Sequence, residues 1–394
     1  MNISMKIIIL LLLMFTFINP ASAEQNMELP DPGKLAEKQL ELLDLSQVEG
    51  FIRELDMELG EYLPDLSLIG LMNNIREGNL GFEWRDFFNT LLRYLFRELL
   101  AASSLLGKIV VLAVVCVVLK NLQAAFEKGT TSKLAYAITY LAMITLALGS
   151  FTLAVDTARG AIDQMVSFMQ SIMPIIFTLM VAVGGPTSAA LLHPVIVAAL
   201  GVFGTLTNNI VFPLIYLSAV LGIVGQISDG FQVSRFAGLL RQIGITLIGL
   251  FLTVFVGTLS LYGIAGSVAD GIALRTAKFL TGSFIPVVGK MLSDAVETVV
   301  GASLLVTSAL HVMAVIVILA MAAFPGLKIL ALVIIYKLAA ALIQPFGDTQ
   351  MSEALDAMGN SLIIVFAAVI AVGLMFFVAL SAIVGVGNMT VMLR

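Results

Sequence analysis

Long apolar runs without a formal charge recur along this 394-residue chain, and they leave few folds open to it. Ile243–Ser267 and Ala302–Phe324 hold no Asp, Glu, Lys or Arg at all. A run of about 18 or more such residues is long enough to cross a bilayer as a helix. Composition agrees: 59% of residues are hydrophobic and 12% charged, against about 25% charged in soluble domains. Mean hydropathy is +1.04. The expected fold class is all-α, a polytopic helical membrane protein.

The first residues differ from the rest. Residues 1–23 read as a secretory signal peptide, with Lys6, a short apolar core Ile7–Ile18, and a cleavage site marked by Ala21 and Ala23. An uncleaved anchor helix is the plainer alternative, but that core is short for a span. Residues 24–103 then form an acidic helical extracytoplasmic domain, with 15 acidic against 5 basic residues from Glu24 to Asp86. Val48, Phe51, Ile52, Leu55, Leu59 and Tyr62 recur at helical spacing, and Ser46 with Glu49 suggests a capping box. A second amphipathic helix is expected over Asp65–Arg76, with Leu66, Ile69, Met72 and Ile75 on one face. A third, Glu83–Ser103, carries Arg85, Arg93 and Arg97 and suits the membrane interface.

Residues 104–394 are the polytopic transmembrane domain. Expected spans are Leu105–Leu119, Leu134–Val155, a pair within Pro174–Leu206, Val211–Ile227, Ile243–Ser267, Ala302–Phe324, Leu327–Gln344 and Ser361–Val386. Between the second and third spans, Asp156–Ser171 is amphipathic, with Met165, Phe168 and Met169 on one side. Gly184, Gly185 and Pro186 break the Pro174–Leu206 run, as a tight turn between two spans or as the tip of a re-entrant pair. The count is about nine spans, or seven if that pair is re-entrant. Gly249, Thr253 and Gly257 form a small-residue stripe suited to close helix approach. Pro325-Gly326 is expected to turn the chain. A cleaved signal and nine spans place the amino-terminal domain outside and the carboxyl terminus in the cytoplasm. Lys120, Lys128, Lys133, Arg235, Arg241, Lys328 and Arg394 then fall on the inner side, against Arg159, Arg275, Lys278 and Lys290 on the outer.

One stretch between apolar runs, 270–301, is far more polar than its neighbours. If Pro286 opens a helix there, Lys290, Asp294 and Glu297 share one face. Ionisable groups at membrane depth are costly unless they meet protein or water, so this is a candidate polar membrane face. A solvated surface helix is the bland reading. Lys337 interrupts a later span and asks for an acid, with Asp348 one candidate just past the helix end.

Several chemistries find no support. Gly282 to Met291 fails as a phosphate loop, because six residues separate Gly282 from Gly289 and Met291 stands where Ser or Thr would hold magnesium. His193 and His311 have no second ligand nearby, so they read as packed histidines. Cys116 is the one cysteine, so no intrachain disulfide framework exists. No nucleophile–base spacing or metal motif appears. The expectation is a non-enzyme without cofactor or nucleic-acid partner.

Four stretches together resemble the stage III sporulation protein AE family of endospore formers: 270–305 (DGIALRTAKFLTGSFIPVVGKMLSDAVETVVGASLL), 335–348 (IYKLAAALIQPFGD), 94–114 (YLFRELLAASSLLGKIVVLAV) and the ending GNMTVMLR (387–394). One departure is Val306-Thr307-Ser308, where the family tends to carry a Lys-Asn pair. The resemblance implies a membrane component of a trans-envelope channel complex, placed in the mother-cell-derived membrane around the forespore. It implies partners including a secretion-type ATPase and ring-forming subunits, besides the lipid bilayer. It supplies no catalytic residue. The other function class to weigh is a self-sufficient secondary transporter of a small solute, with Lys290, Asp294, Glu297 and Lys337 lining a central site. The inverted repeat such a transporter would show is not found.

Overall fold

The computed structural model describes residues 31–60, 67–77, 84–125, 130–227, 233–284, 286–347 and 349–392. Ala21, Ala23 and Asp348 lie outside these residues, as do the side chains of Lys290 and Asp294. All regular structure among the described residues is helical.

Three short helices lead: α1 (Pro32–Glu41), α2 (Ser46–Leu59) and α3 (Leu68–Arg76). Asp31 caps α1 by accepting from the Gly33 amide, with Pro32 in the first turn, where its missing N–H costs nothing. Arg76 Nη2 reaches back to Asp31 Oδ1 at 3.2 Å and ties the end of α3 to the start of α1. The expected capping box does not form. Ser46 is already the first helical residue, and both its N–H and its hydroxyl donate to Asp44 Oδ1. The apolar face of α3 is also rotated from expectation: Leu71 and Met72 are buried while Ile69 is 53% exposed.

These helices do not stand apart from the long ones. α1 and α3 lie on α9 (Pro286–Ile343), and α2 on α5 (Thr130–Ala182). Gln39 Oε1 accepts from Ser303 on α9, and the Phe51 ring meets Phe168 of α5 edge-on at 5.8 Å. Met165, Phe168 and Met169, the apolar side of the amphipathic Asp156–Ser171 stretch, are fully buried. A segment too small for a core of its own thus borrows one from the long helices.

The remaining elements are α4 (Trp84–Ala125), α6 (Pro186–Leu206), a π-turn Thr207–Val211, α7 (Phe212–Ile227), α8 (Ser234–Phe284), a 3-10 turn Gln344–Phe346 and α10 (Thr349–Met392). Among the described residues, six helical stretches are long and apolar enough to cross a membrane: α4, α5, α6 with α7, α8, α9 and α10. At 1.5 Å per residue the 58 residues of α9 run about 87 Å, well beyond the ~30 Å hydrocarbon core.

The difference from nine has three sources. Asp156–Ser171 is helical, so α5 runs unbroken to Ala182 with Pro174 inside it. The Asn208-Asn209 pair sits in a π-turn that joins α6 to α7. Pro325-Gly326 does not turn the chain, and α9 continues through it. A chain reversal in an apolar setting strands several backbone groups, whereas a proline inside a helix loses one hydrogen bond, so the continuous helix is the cheaper solution.

α9 and α10 form the centre of the bundle. A Cβ on Gly373 of α10 would lie 2.5 Å from Ala322 Cβ of α9, which only glycine allows. The expected stripe Gly249–Thr253–Gly257 plays no such part: it faces outward, and added Cβ atoms on its glycines would meet nothing within 4 Å.

Candidate functional site

Three polar constellations link the helices, the first buried, the second partly exposed and the third at the surface. The first is at the α5–α6 reversal. Gly184 has φ +100°, the left-handed region that glycine favours. The Gly185 amide donates to Met180 O and the Gly184 amide to Val181 O, which closes the carbonyl end of α5. Pro186 then opens α6. The amides of Thr187 and Ser188, unpaired by their own helix, both donate to the Asp270 carboxylate of α8 at 2.8 Å. Asp270 is 1% exposed. A buried carboxylate is tolerable here because it accepts two amide bonds at the positive end of a helix dipole. The approach is close: a Cβ on Gly266 would lie 2.7 Å from Ser188 Cα.

The second constellation joins α9 and α10. Lys337 Nζ donates to Asp356 Oδ1 at 2.6 Å and to Asn360 Oδ1 at 2.7 Å. Asn360 Nδ2 closes the triangle by donating to Asp356 Oδ2. Next to it, the fully buried Tyr336 hydroxyl donates to Ala147 O of α5 at 2.6 Å.

The third surrounds the π-turn. Asn208 Nδ2 donates to Asp163 Oδ1 of α5 at 2.7 Å. Arg159 lies over the Phe212 ring at 5.9 Å and 4.0 Å from Asp156. A π-turn inserts one extra residue into a helix and re-aims the side chains around it, here toward α5.

The stretch 270–301 behaves unevenly. Asp270 turns inward, while Arg275 and Glu297 are exposed. α9 does open at Pro286, so the helix that carries Lys290, Asp294 and Glu297 is present. His193 is exposed, its ring edge-on to Phe177 at 5.2 Å across the α5–α6 hairpin. Among the described residues, no three of His, Cys, Asp and Glu gather as a metal site would require. What this arrangement can do is hold helices in register.

The family model described as stage III sporulation protein AE matches residues 66–387. The stage III sporulation protein AE of Bacillus subtilis (strain 168) is 42% identical over 361 residues, covering 92% of this chain and 90% of that protein. No solved structure matches.

Proposed function

The chain belongs to the stage III sporulation protein AE family, and from that premise we propose that it is a membrane-embedded structural or permease-like part of a sporulation trans-envelope complex linking mother cell and forespore. It works with other stage III membrane proteins, including a secretion-type ATPase and ring-forming subunits, and it carries out no bond chemistry itself. Its place is the mother-cell-derived membrane around the forespore. The observation that carries the structural role is the fate of the charges that lie between helices. Asp270 and the Lys337–Asp356 pair are each consumed in tying one helix to another. A self-sufficient transporter instead needs unspent charges deep in the bundle, away from the helix ends, for a solute to engage.

Orientation belongs to the same proposal. If each of the six helices crosses once, residue 84 and residue 392 lie on one side of the membrane. The loops opposite them, with the adjoining helix ends, hold Lys120, Lys128, Lys133, Arg235, Arg241 and Lys337, and a cleaved signal peptide, which sends the amino-terminal segment outside, would place these loops in the cytoplasm. Arg85, Arg93, Arg97, Arg275, Lys278, Lys290 and Arg394 fall on the outer side with the acidic amino-terminal segment, which is the docking surface offered to partners. The carboxyl terminus then lies outside too, in place of the cytoplasmic position that an odd number of spans gives.

The test is affinity purification of the tagged chain from sporulating cells, coupled to a count of heat-resistant spores. The proposal expects the ATPase and ring-forming subunits to co-purify, and spores to be lost when the gene is removed. A chain that purifies alone and moves a solute when reconstituted alone would overturn it in favour of the secondary transporter.

A further inference from the structure

A cavity between α7, α8 and α10 holds charge of both signs that the helix ties leave unused. Its volume is about 270 Å³, and its wall includes Ser218 and Gly222 of α7, Gly238 and Arg241 of α8, and Glu353 and Asn360 of α10. Small residues leave the hollow open: a Cβ on Gly238 would meet nothing within 4 Å. The Ser218 hydroxyl donates to Ala237 O, which leaves its oxygen free to accept. Asp356, also on the wall, is already held by Lys337 and Asn360. Arg241 is half-buried and Glu353 exposed. Neither has an ion-pair partner among the described residues.

We propose that this cavity binds a zwitterion, its oxyanion on Arg241 and its primary ammonium on Glu353. A guanidinium fork matches the two oxygens of a phosphate or carboxylate, and a carboxylate accepts from an ammonium. An anion or a cation alone would leave one wall charge without a counter-ion. A zwitterion satisfies both and leaves the net charge of the site unchanged. The cavity lies at helix ends: α7 stops at Ile227, α8 starts at Ser234 and α10 at Thr349. Two sources of the same chemistry reach such a place, a phosphatidylethanolamine headgroup and a free amino acid. The site stands independently of the complex proposed above.

Full-length protein purified in detergent separates the two. In one arm it is equilibrated with mixed phosphatidylethanolamine and phosphatidylglycerol micelles, and retained lipid is weighed by native mass spectrometry. In the other, binding of radiolabelled L-alanine is measured at equilibrium. Retention of phosphatidylethanolamine over phosphatidylglycerol identifies a headgroup, and saturable alanine binding identifies a free solute. In either case Arg241→Gln and Glu353→Gln should each weaken binding about tenfold, the loss of one charge-assisted contact. Glu353 is exposed, so its replacement leaves packing intact, and Glu41→Gln on the remote α1 should change nothing. The proposal is overturned if neither probe binds, or if binding is indifferent to both cavity substitutions.

Discussion

Asp270, buried, and Lys337, partly exposed, show how much a charge between helices asks of its neighbours. Asp270→Asn keeps the size but turns one acceptor into a donor that faces an amide N–H. Losing that charge-assisted bond should cost about 1.5–3 kcal/mol, read as a lower melting midpoint in detergent. Asp156→Asn, whose side chain is 61% exposed, should leave the midpoint in place. Lys337→Met should cost less, about 1 kcal/mol or below, since Lys337 and Asp356 are 36% and 48% exposed and solvent screens the pair. A double-mutant cycle of Lys337→Met with Asp356→Leu tests this, because additive losses would mean that the two side chains do not interact. At the outer helices, the Gly33 amide, with Arg76 adding to it, holds the Asp31 carboxyl below its ordinary value. A lowered folded-state pKa stabilises above the unfolded value, about 4, and that contribution is lost as pH falls through the lowered one. Protection of the α1 and α3 amides, taken relative to their intrinsic exchange rates at each pH, should therefore fall below about pH 4; unchanged protection would remove Asp31 as their tie. The need of Lys337 for an acid was legible in the sequence. Its partners are Asp356 and Asn360, which come level with it only after the 3-10 turn and the first turns of α10. Asp270 was harder to single out. Its partners are two backbone amides 82 and 83 residues away, and amides leave no mark in a sequence.

Glycine and proline decide the elements, and the same letters meant different things in different places. Gly184-Gly185-Pro186 reads as a break because glycine at positive φ closes a helix and proline opens the next. Pro325-Gly326 has the same vocabulary but lies mid-helix, where a Cβ on Gly326 would come within 3.2 Å of Ile370. There the glycine makes room for α10 and does not turn the chain. Hydropathy alone cannot separate one helix of fifty residues from two of twenty-five, so the span count was the least legible part of the fold. Two substitutions test this reading. Gly373→Val pushes on Ala322 and should cost about 1–3 kcal/mol by overpacking, while Gly249→Val, facing open space, should be nearly silent in the same thermal melt. Gly184→Ala, strained by its φ and 3.1 Å from Leu274, should also lower the midpoint.

At the scale of the whole molecule, the short amino-terminal helices and the long ones make one packed body. All-α membrane architecture followed directly from apolar runs that lipid admits only as helices. That α1 to α3 would rest on α5 and α9 did not, because amphipathic periodicity shows that a face is covered but not by what. Whether six helices each cross once is the claim on which the orientation and the proposed docking side depend. The direct measurement is thiol accessibility in intact non-sporulating cells that express the chain in their outer cell membrane: Cys116→Ala as background, then single cysteines at Ser46, Ser234 and Arg394, labelled with a membrane-impermeant reagent. Six crossings predict that the Ser46 and Arg394 positions label in intact cells and Ser234 only after permeabilisation. Labelling of the Arg394 position only after permeabilisation, with Ser46 labelled before it, would mean an odd number of crossings and contradict the account.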